Sequence, residues 1–277
     1  MKILILILFS VFIAFGCSKN KTESPGDKTG TTESKTNSGS NTKDEGPLKF
    51  TEKPFLKTNN NCNPSDTCTY FKVDYLEASG KSKDKINSLL MSEVLANVSF
   101  GDSKYPSLQI AADSFMTSFV SFRKEVPEGA QFWYFEYFMS VDNQTPKIVS
   151  ISGSNSSYMG GAHPNTYVTF LNINKETGDT VSLSNIFAAG FEKKLNALVD
   201  AKFRRMKGLK PGDNLMEKGD LFENKIEFNY NWSTTKEGGI MFYYNPYEIA
   251  AYVFGPTELV LTKQEIEGLL AADSPLK

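Results

Sequence analysis

The sequence predicts an α+β fold, with a mainly antiparallel sheet packed with about four helices after a disordered N-terminal tether. Helical and strand patterns come in runs along the chain and do not alternate strictly, which favours this class over a parallel α/β architecture. The 277 residues are 40% apolar and 13% aromatic, which is enough for one sizeable core or two small ones. Apolar side chains are almost absent between residues 18 and 48, so the folded part begins near residue 49.

The first 16 residues are typical of an export signal. Lys2 gives a basic start, and an apolar run follows from Ile3 to Phe15. A helix that spans a bilayer needs about 20 apolar residues, so this run is too short to be a permanent anchor. The junction Gly16-Cys17 resembles the lipobox of bacterial lipoproteins, which implies cleavage before Cys17 and attachment of diacylglycerol to it. The alternative is an ordinary secretory signal with an incidental cysteine.

These features predict an exported domain that is lipid-anchored to a membrane of the bacterial cell envelope. Ser, Thr, Gly, Asn and charged residues fill the segment that follows Cys17, and such a composition buries too little surface to offset chain entropy. We therefore divide the chain into a signal peptide at 1–16, a lipidated cysteine with a disordered linker at 17–48, and a single α+β domain at 49–277.

Cys62 and Cys68 are separated by five residues that favour turns. In an oxidising envelope we expect them to pair into one small disulfide loop, which leaves no unpaired cysteine once Cys17 is lipidated. A catalytic or redox role is the alternative, but no histidine or second motif accompanies the pair.

The N-terminal part of the domain, residues 68–130, begins with a predicted strand at Thr69–Leu76. Two amphipathic helices follow, at Lys83–Val98 and Ser107–Lys124, because apolar side chains recur there at helical spacing. Ser107 is placed to cap the second helix. We expect both apolar stripes to face the core, since a surface helix of a globular domain needs such a stripe.

The segment Phe132–Val141 is a strand with two largely apolar faces. Trp133, Phe135 and Tyr137 share one face, while Phe132 and Tyr134 lie with Glu136 on the other. We expect a central strand that is covered on both sides, because aromatic residues commonly fill strands. The alternative is an aromatic surface that is exposed to a ligand.

The C-terminal part, residues 131–271, contains most of the remaining predicted elements. A turn at Asn174–Asp179 joins two of its strands, with Gly178 supplying the turn geometry. Thr262 and Glu265 form a capping box that begins a last short helix. The other predicted elements are strands at Lys147–Ser152, Thr166–Ile173, Thr180–Leu183, Ile226–Trp232, Ile240–Tyr244 and Glu258–Leu261, and a helix at Phe191–Met206.

Three motifs in this part identify a family. They are YMGGAHPN at residues 158–165, TGDTVSLSNIF at 177–187 and GIMFYYNPYEIAAYVFG at 239–255. In this order they resemble the extracellular domain shared by the lysozyme-sensing anti-sigma factor RsiV and the peptidoglycan deacetylase PdaC. The resemblance covers roughly residues 68–271, although Ala251 stands where the family usually has proline.

The resemblance implies an isolated binding or sensing module, because the transmembrane, sigma-binding and deacetylase parts of those relatives have no counterpart here. It implies a lysozyme-type protein or a cell-wall glycan such as peptidoglycan as partner. The candidate binding residues are those of the motifs: Tyr158, Gly160, Gly161, His163, Asn165, Tyr244, Tyr247, Glu248 and Tyr252.

His163 and Glu248 each have a structural and a functional interpretation. We expect His163 to fix the loop at Gly160–Pro164, and Glu248 to bind His163 or a backbone turn. The functional alternatives are a hydrolase site built on His163 with Ser156 or Ser157, and a ligand surface that includes Glu248. No nucleophile-elbow motif accompanies His163, so we do not expect an enzyme. A third hypothesis is a structural envelope lipoprotein with a protein partner.

Composition excludes several other classes. A formal net charge of -2 leaves no basic surplus for nucleic acid. A single histidine and the absence of paired Cys-x-x-Cys motifs exclude multi-histidine and zinc-finger sites, so we expect no metal and no cofactor.

Overall fold

This computed structural model describes residues 46–98 and 103–277. These residues form two hydrophobic cores, and each core packs against its own sheet. The predicted signal peptide, the lipidation site at Cys17 and the linker up to residue 45 lie outside the described residues. The buried members of the two cores lie between Phe71 and Leu276.

The first sheet has five strands in the order β1-β2-β3-β4-β5. They are β1 (Lys49–Thr58), β2 (Tyr70–Ser79), β3 (Tyr134–Gln144), β4 (Ile148–Tyr158) and β5 (Asn165–Asn174). Only the pairing of β2 with β3 is parallel, and the other neighbours are antiparallel. A parallel pair needs a crossover connection, which here contains helices α1 (Lys83–Asn97) and α2 (Leu108–Glu125).

The two helices cover one face of this sheet, which we call the inner face. Ser107 caps α2 as predicted, because its side chain accepts a hydrogen bond from the backbone N–H of Ile110. The apolar stripes of both helices are buried against aromatic side chains of β2 and β3. The shared core includes Phe71, Ile86, Leu90, Val94, Phe115, Phe119, Trp133, Phe135 and Tyr137.

The second sheet is small and fully antiparallel, in the order β6-β7-β8. Its strands are β6 (Trp232–Thr234), β7 (Ile240–Tyr244) and β8 (Thr257–Leu261). The helix α4 (Glu192–Lys207) packs against it through Leu195, Val199 and Phe203, which are all fully buried. Three one-turn helices complete this half: α3 (Leu183–Ile186), α5 (Leu215–Lys218) and α6 (Lys263–Ile266). Thr262 and Glu265 form the predicted capping box at the start of α6.

A buried polar cluster joins the two sheets. The side chain of Asn172 on β5 accepts a 2.5 Å hydrogen bond from Ser150 Oγ and donates a 2.8 Å bond to the carbonyl of Trp232. Asn143 Nδ2 donates to Thr234 Oγ1 at 2.8 Å, and the backbone N–H of Thr234 donates to Ser150 Oγ. The side chains of Asn143, Ser150, Asn172 and Thr234 are nearly inaccessible to solvent, so the bonds fix how the second sheet sits on the first.

The α+β class is confirmed, with the strands divided between two sheets. The strand predicted at Ile226–Trp232 is wrong, because residues 226–231 are irregular and Tyr230 is 79% exposed. Side chains replace a backbone ladder there, since Asn229 donates to the carbonyl of Tyr243 and Asn231 to that of Val168.

Two further elements differ from the sequence prediction. The strand expected at Thr180–Leu183 is reduced to one bridge between Thr180 and Ile173, because α3 begins at Leu183 with its own capping box. Strand β1 was not predicted, and Pro54 in its middle argues against a strand. Since β1 is an edge strand, a residue without an N–H is tolerated there. No helix within residues 46–98 and 103–277 combines the length and hydropathy that a bilayer crossing requires.

Gly153 on β4 tests the packing of the inner face. A Cβ at this position would collide with the hydroxyl of the fully buried Tyr137 and lie 2.7 Å from its Cζ atom. Since Tyr137 has no room to move, we expect Gly153→Ala to lower the free energy of unfolding by about 1–3 kcal/mol. Urea denaturation measures the change.

Gly268→Ala is the matched control, because a Cβ there meets nothing within 4 Å. Its unfolding midpoint should stay close to that of the unmodified protein. Equal midpoints for both variants would contradict the packing described for Tyr137.

Candidate functional site

The strand register of the first sheet defines two opposite ends. The last residue of β1, the first residues of β2, β3 and β5 and the last residue of β4 meet at one end, which we call the distal end. The chain enters β1 at Lys49 on the other end, the proximal end. Strands of ten residues at about 3.3 Å per residue separate the two ends by roughly 30 Å.

Three tyrosines form a row across the sheet at the distal end. Tyr70, Tyr134 and Tyr158 stand directly opposite one another on β2, β3 and β4. The ring centroids of Tyr70 and Tyr134 are 5.8 Å apart with 15° between the planes, and those of Tyr134 and Tyr158 are 6.2 Å apart with 29°. The ring of Phe132 extends the row, 6.0 Å from that of Tyr158. We call Tyr70, Tyr134 and Tyr158 the aromatic row.

Polar side chains border the aromatic row on the same face. The Tyr70 hydroxyl donates a 2.8 Å hydrogen bond to Glu136 Oε1, and Ser156 stands opposite Glu136 on β4. Burial raises the pKa of the Tyr70 hydroxyl, and the bond to Glu136 raises it further. The hydroxyl therefore stays protonated and remains a donor at neutral pH.

Further along β2 and β3, the same face carries charged side chains. Lys72 forms an ion pair with Asp74 at 3.0 Å, and its Nζ lies 4.9 Å from the ring centroid of Phe138. The Phe138 side chain is 37% exposed. The face therefore combines aromatic surface with carboxylates, hydroxyls and one ammonium group.

The expectation that Phe132–Val141 is covered on both faces is wrong. Trp133, Phe135 and Tyr137 are buried under the helices, but Tyr134 and Glu136 on the outer face are only half-buried. The cause is the position of the second sheet, whose strand β6 bonds to the outer face near the proximal end, at Asn143 and Ser150. Among the described residues, β6 forms no such bonds to the distal part of the same face.

The glycine motif forms the loop that follows the aromatic row. Gly160 and Gly161 have φ angles of +93° and +113°, a region that only glycine occupies without strain. The Tyr158 hydroxyl donates to the carbonyl of Gly161 at 3.3 Å, which ties the loop to the row. Asn165 begins β5 opposite Ser157 and is exposed.

His163 stacks on the second aromatic motif. Its ring lies 4.0 Å from that of Tyr252 with 16° between the planes, and the Tyr247 ring follows at 5.5 Å from Tyr252. His163 Nδ1 is 2.8 Å from the carbonyl of Pro164, and the Tyr252 hydroxyl donates to the same oxygen. Tyr247 is 57% exposed and has a φ of +67°, a strained value for a tyrosine. We call His163, Tyr247 and Tyr252 the motif cluster.

Glu248 and Tyr244 have structural partners. Glu248 accepts hydrogen bonds from the backbone N–H of Asn245 and from the side chain of Asn229, at 2.8 and 2.7 Å. Tyr244 is 1% exposed, and its hydroxyl donates to the carbonyl of Glu227. Burial raises the pKa of Tyr244. The side chain of Tyr244, a candidate binding residue, therefore belongs to the core of the second sheet.

His163 has none of the contacts that a catalytic triad needs. In the described ranges it forms no hydrogen bond or ion pair with a carboxylate, and none with Ser156 or Ser157. Ser157 is buried on the inner face, where Asn165 stands opposite it. The described residues also contain no group of histidine, cysteine and acidic side chains that could hold a metal ion.

A disulfide holds the loop that leads into the aromatic row. Cys62 and Cys68 are bonded as predicted. Thr69 follows the disulfide directly. Its carbonyl accepts a hydrogen bond from the backbone N–H of Asn59, and its Oγ1 accepts one from the backbone N–H of Trp133. The loop therefore fixes both Tyr70 and the start of β3.

Tyr70, Tyr134 and Glu136 were absent from the predicted binding residues. Tyr134 and Glu136 were recognised as one face of a strand, but the pattern alone does not say which face is covered. The available signal was that aromatic side chains stand at the outward positions next to both loops, Tyr70 after the disulfide and Tyr158 before the glycines.

Two family models match consecutive parts of the chain. Residues 62–166, from the disulfide loop to the start of β5, match the family described as deacetylase PdaC. Residues 184–264, from α3 to α6, match the family described as a protein of unknown function, DUF3298. Together the two matches support the predicted shared domain, and the aromatic row lies within the part that matches the PdaC model.

Solved structures share the fold of this chain. A DUF3298 family member from Bacteroides fragilis superposes with a TM-score of 0.66 at 20% identity, over 84% of this chain and 98% of that one. A DUF3298 family protein from Pseudomonas aeruginosa gives a TM-score of 0.63 at 17% identity, over 83% and 97% of the two chains. A search of curated proteins found no match.

The disulfide should contribute measurably to stability. Closing a loop with a sequence separation of six residues restricts the unfolded chain, an effect of about 2 kcal/mol. We expect the double variant Cys62→Ser/Cys68→Ser to lose about this amount in urea denaturation. Unmodified protein in excess reductant should show the same shift, whereas identical midpoints with and without the bond would contradict this role.

Proposed function

We propose that this protein is a non-catalytic binding module of the bacterial cell envelope, and that its aromatic row takes a cell-wall glycan. One observation carries the proposal. Three tyrosines stand in register on neighbouring strands, on a part of the sheet face where their side chains are only half-buried. Exposed aromatic surface with a polar border is typical of a ligand site.

The chemistry of the row suits a sugar chain. A pyranose ring has an apolar face of C–H bonds and a rim of hydroxyl groups. Tyrosine offers the complementary combination, since its ring is apolar and its hydroxyl forms hydrogen bonds. Glu136 and Asp74 add carboxylate acceptors for sugar hydroxyls on the same face. The resemblance to a peptidoglycan deacetylase supports peptidoglycan as the glycan.

The envelope location rests on the N-terminal sequence. The apolar run Ile3–Phe15 and the Gly16-Cys17 junction support export and lipid attachment. The contacts of His163 support a non-catalytic role. Its Nδ1 atom lies within hydrogen-bonding distance of the Pro164 carbonyl, and its ring stacks on that of Tyr252.

Binding to soluble peptidoglycan fragments tests the glycan assignment. Tyr134→Ala and Tyr158→Ala should each weaken binding about tenfold by isothermal titration calorimetry, because each removes a ring worth about 1.4 kcal/mol. Tyr230→Ala is the matched control, since Tyr230 is 79% exposed outside the row. Near-UV circular dichroism checks that the variants are folded. Absence of binding by the unmodified protein, or equal affinity of all variants, would overturn the assignment.

A lysozyme-type protein is the second candidate ligand, and a separate observation favours it. Next to the motif cluster, Val253 is 83% exposed and Phe254 50% exposed, in the turn that follows Tyr252. Tyr247 is 57% exposed as well, and exposed apolar side chains of this kind are typical of protein–protein contact.

Lysozyme binding and inhibition test this second candidate. Val253→Asp should weaken binding at least about tenfold, because it places a charge in an apolar contact, while Tyr134→Ala should leave lysozyme binding unchanged. The opposite pattern would assign the aromatic row to the protein ligand. Undiminished lysozyme activity at saturating protein would exclude inhibition as the function.

A further inference from the structure

Four lysines converge at the proximal end of the domain. Lys147, Lys236, Lys263 and Lys277 line one surface depression of about 280 Å³, in which Glu237 is the single acidic side chain. They come from separate parts of the chain: the turn between β3 and β4, the turn between β6 and β7, the start of α6 and the C-terminal segment. We call this depression the lysine pocket.

Some lysines of the described residues are paired with carboxylates, and others are not. Lys53, Lys85 and Lys218 are each paired with a carboxylate. Within residues 46–98 and 103–277, no side chain of Lys147, Lys236, Lys263 or Lys277 forms an ion pair with a carboxylate. Neighbouring like charges repel one another, and their combined field attracts an anion.

The position of the pocket indicates which anion it meets. β1 begins at Lys49 opposite Ser79, and the β3–β4 turn with Lys147 lies at the same end of the sheet. The first described strand therefore begins at the end that carries the lysine pocket. The aromatic row lies at the other end, roughly 30 Å away along the strands.

We propose that the lysine pocket binds the phosphate groups of anionic phospholipids. This holds the proximal end at the membrane and directs the aromatic row away from it. Ammonium groups bind phosphate as point charges, and lysines near an anionic membrane each strengthen attachment severalfold. The proposal rests on the envelope location given above but not on the glycan site, so either can fail without the other.

Amine footprinting of the full chain in lipid vesicles tests the proposal. One sample contains vesicles of phosphatidylcholine alone. In the other, about one third of the lipid is the anionic phosphatidylglycerol. With the anionic lipid, acetylation of Lys147, Lys236 and Lys263 should slow by about threefold or more. Lys57 and Lys72, which lie towards the distal end, are internal controls whose rates should not change. Equal rates for the pocket lysines in both vesicles would overturn the proposal.

A charge-reversal variant and a free-phosphate arm complete the test. The variant carries three substitutions, Lys147→Glu, Lys236→Glu and Lys263→Glu. In it, the acetylation rate of Lys277 should no longer depend on phosphatidylglycerol. An unchanged near-UV circular dichroism spectrum shows that the variant is folded. Because all three substituted side chains are exposed, the core is not altered. Inorganic phosphate at millimolar concentration should not protect the pocket in phosphatidylcholine vesicles. Protection by phosphate alone would instead assign the pocket to a soluble phosphate ligand.

Discussion

The buried polar cluster between the two sheets is the constraint on which the rest of the domain depends. Apolar packing alone would let a small sheet slide over a larger one, because hydrophobic contact has no direction. The bonds of Asn172, Ser150 and Asn143 to β6 specify one position, since any shift would leave several buried polar groups without partners. That position is near the proximal end, and it leaves the tyrosines of the aromatic row half-buried.

Local patterns predicted most of the regular elements. Strand β7 has the predicted bounds, and the caps at Ser107 and Thr262 form the predicted hydrogen bonds. These features depend on residues close together in sequence, so they can be derived without the tertiary structure. The irregular segment at residues 226–231 could not, because asparagine side chains that bond to distant strands replace the backbone ladder that its alternation suggests.

The candidate site was predictable only in part, because some of its residues meet through strand pairing between distant parts of the chain. The loop with Gly160, Gly161 and His163 is a local motif, and the structure connects it to Tyr158 and Tyr252. Tyr70 and Tyr134 become neighbours only through a pairing of strands that are 64 positions apart. Whether their face is open depends on where the second sheet packs, which no pattern within the strand reveals.

The parallel pairing of β2 with β3 also links the aromatic row to the dynamics of the sheet. This ladder joins five pairs of residues, whereas the antiparallel ladders of the same sheet join ten each. It closes around the longest connection between neighbouring strands, so its formation carries a large entropic cost. A ligand that spans Tyr70 and Tyr134 bridges the β2–β3 ladder, the shortest of the first sheet, and holds the crossover connection closed. Occupancy of the row would thus slow local opening at the centre of the sheet, which couples ligand binding to resistance against proteolysis.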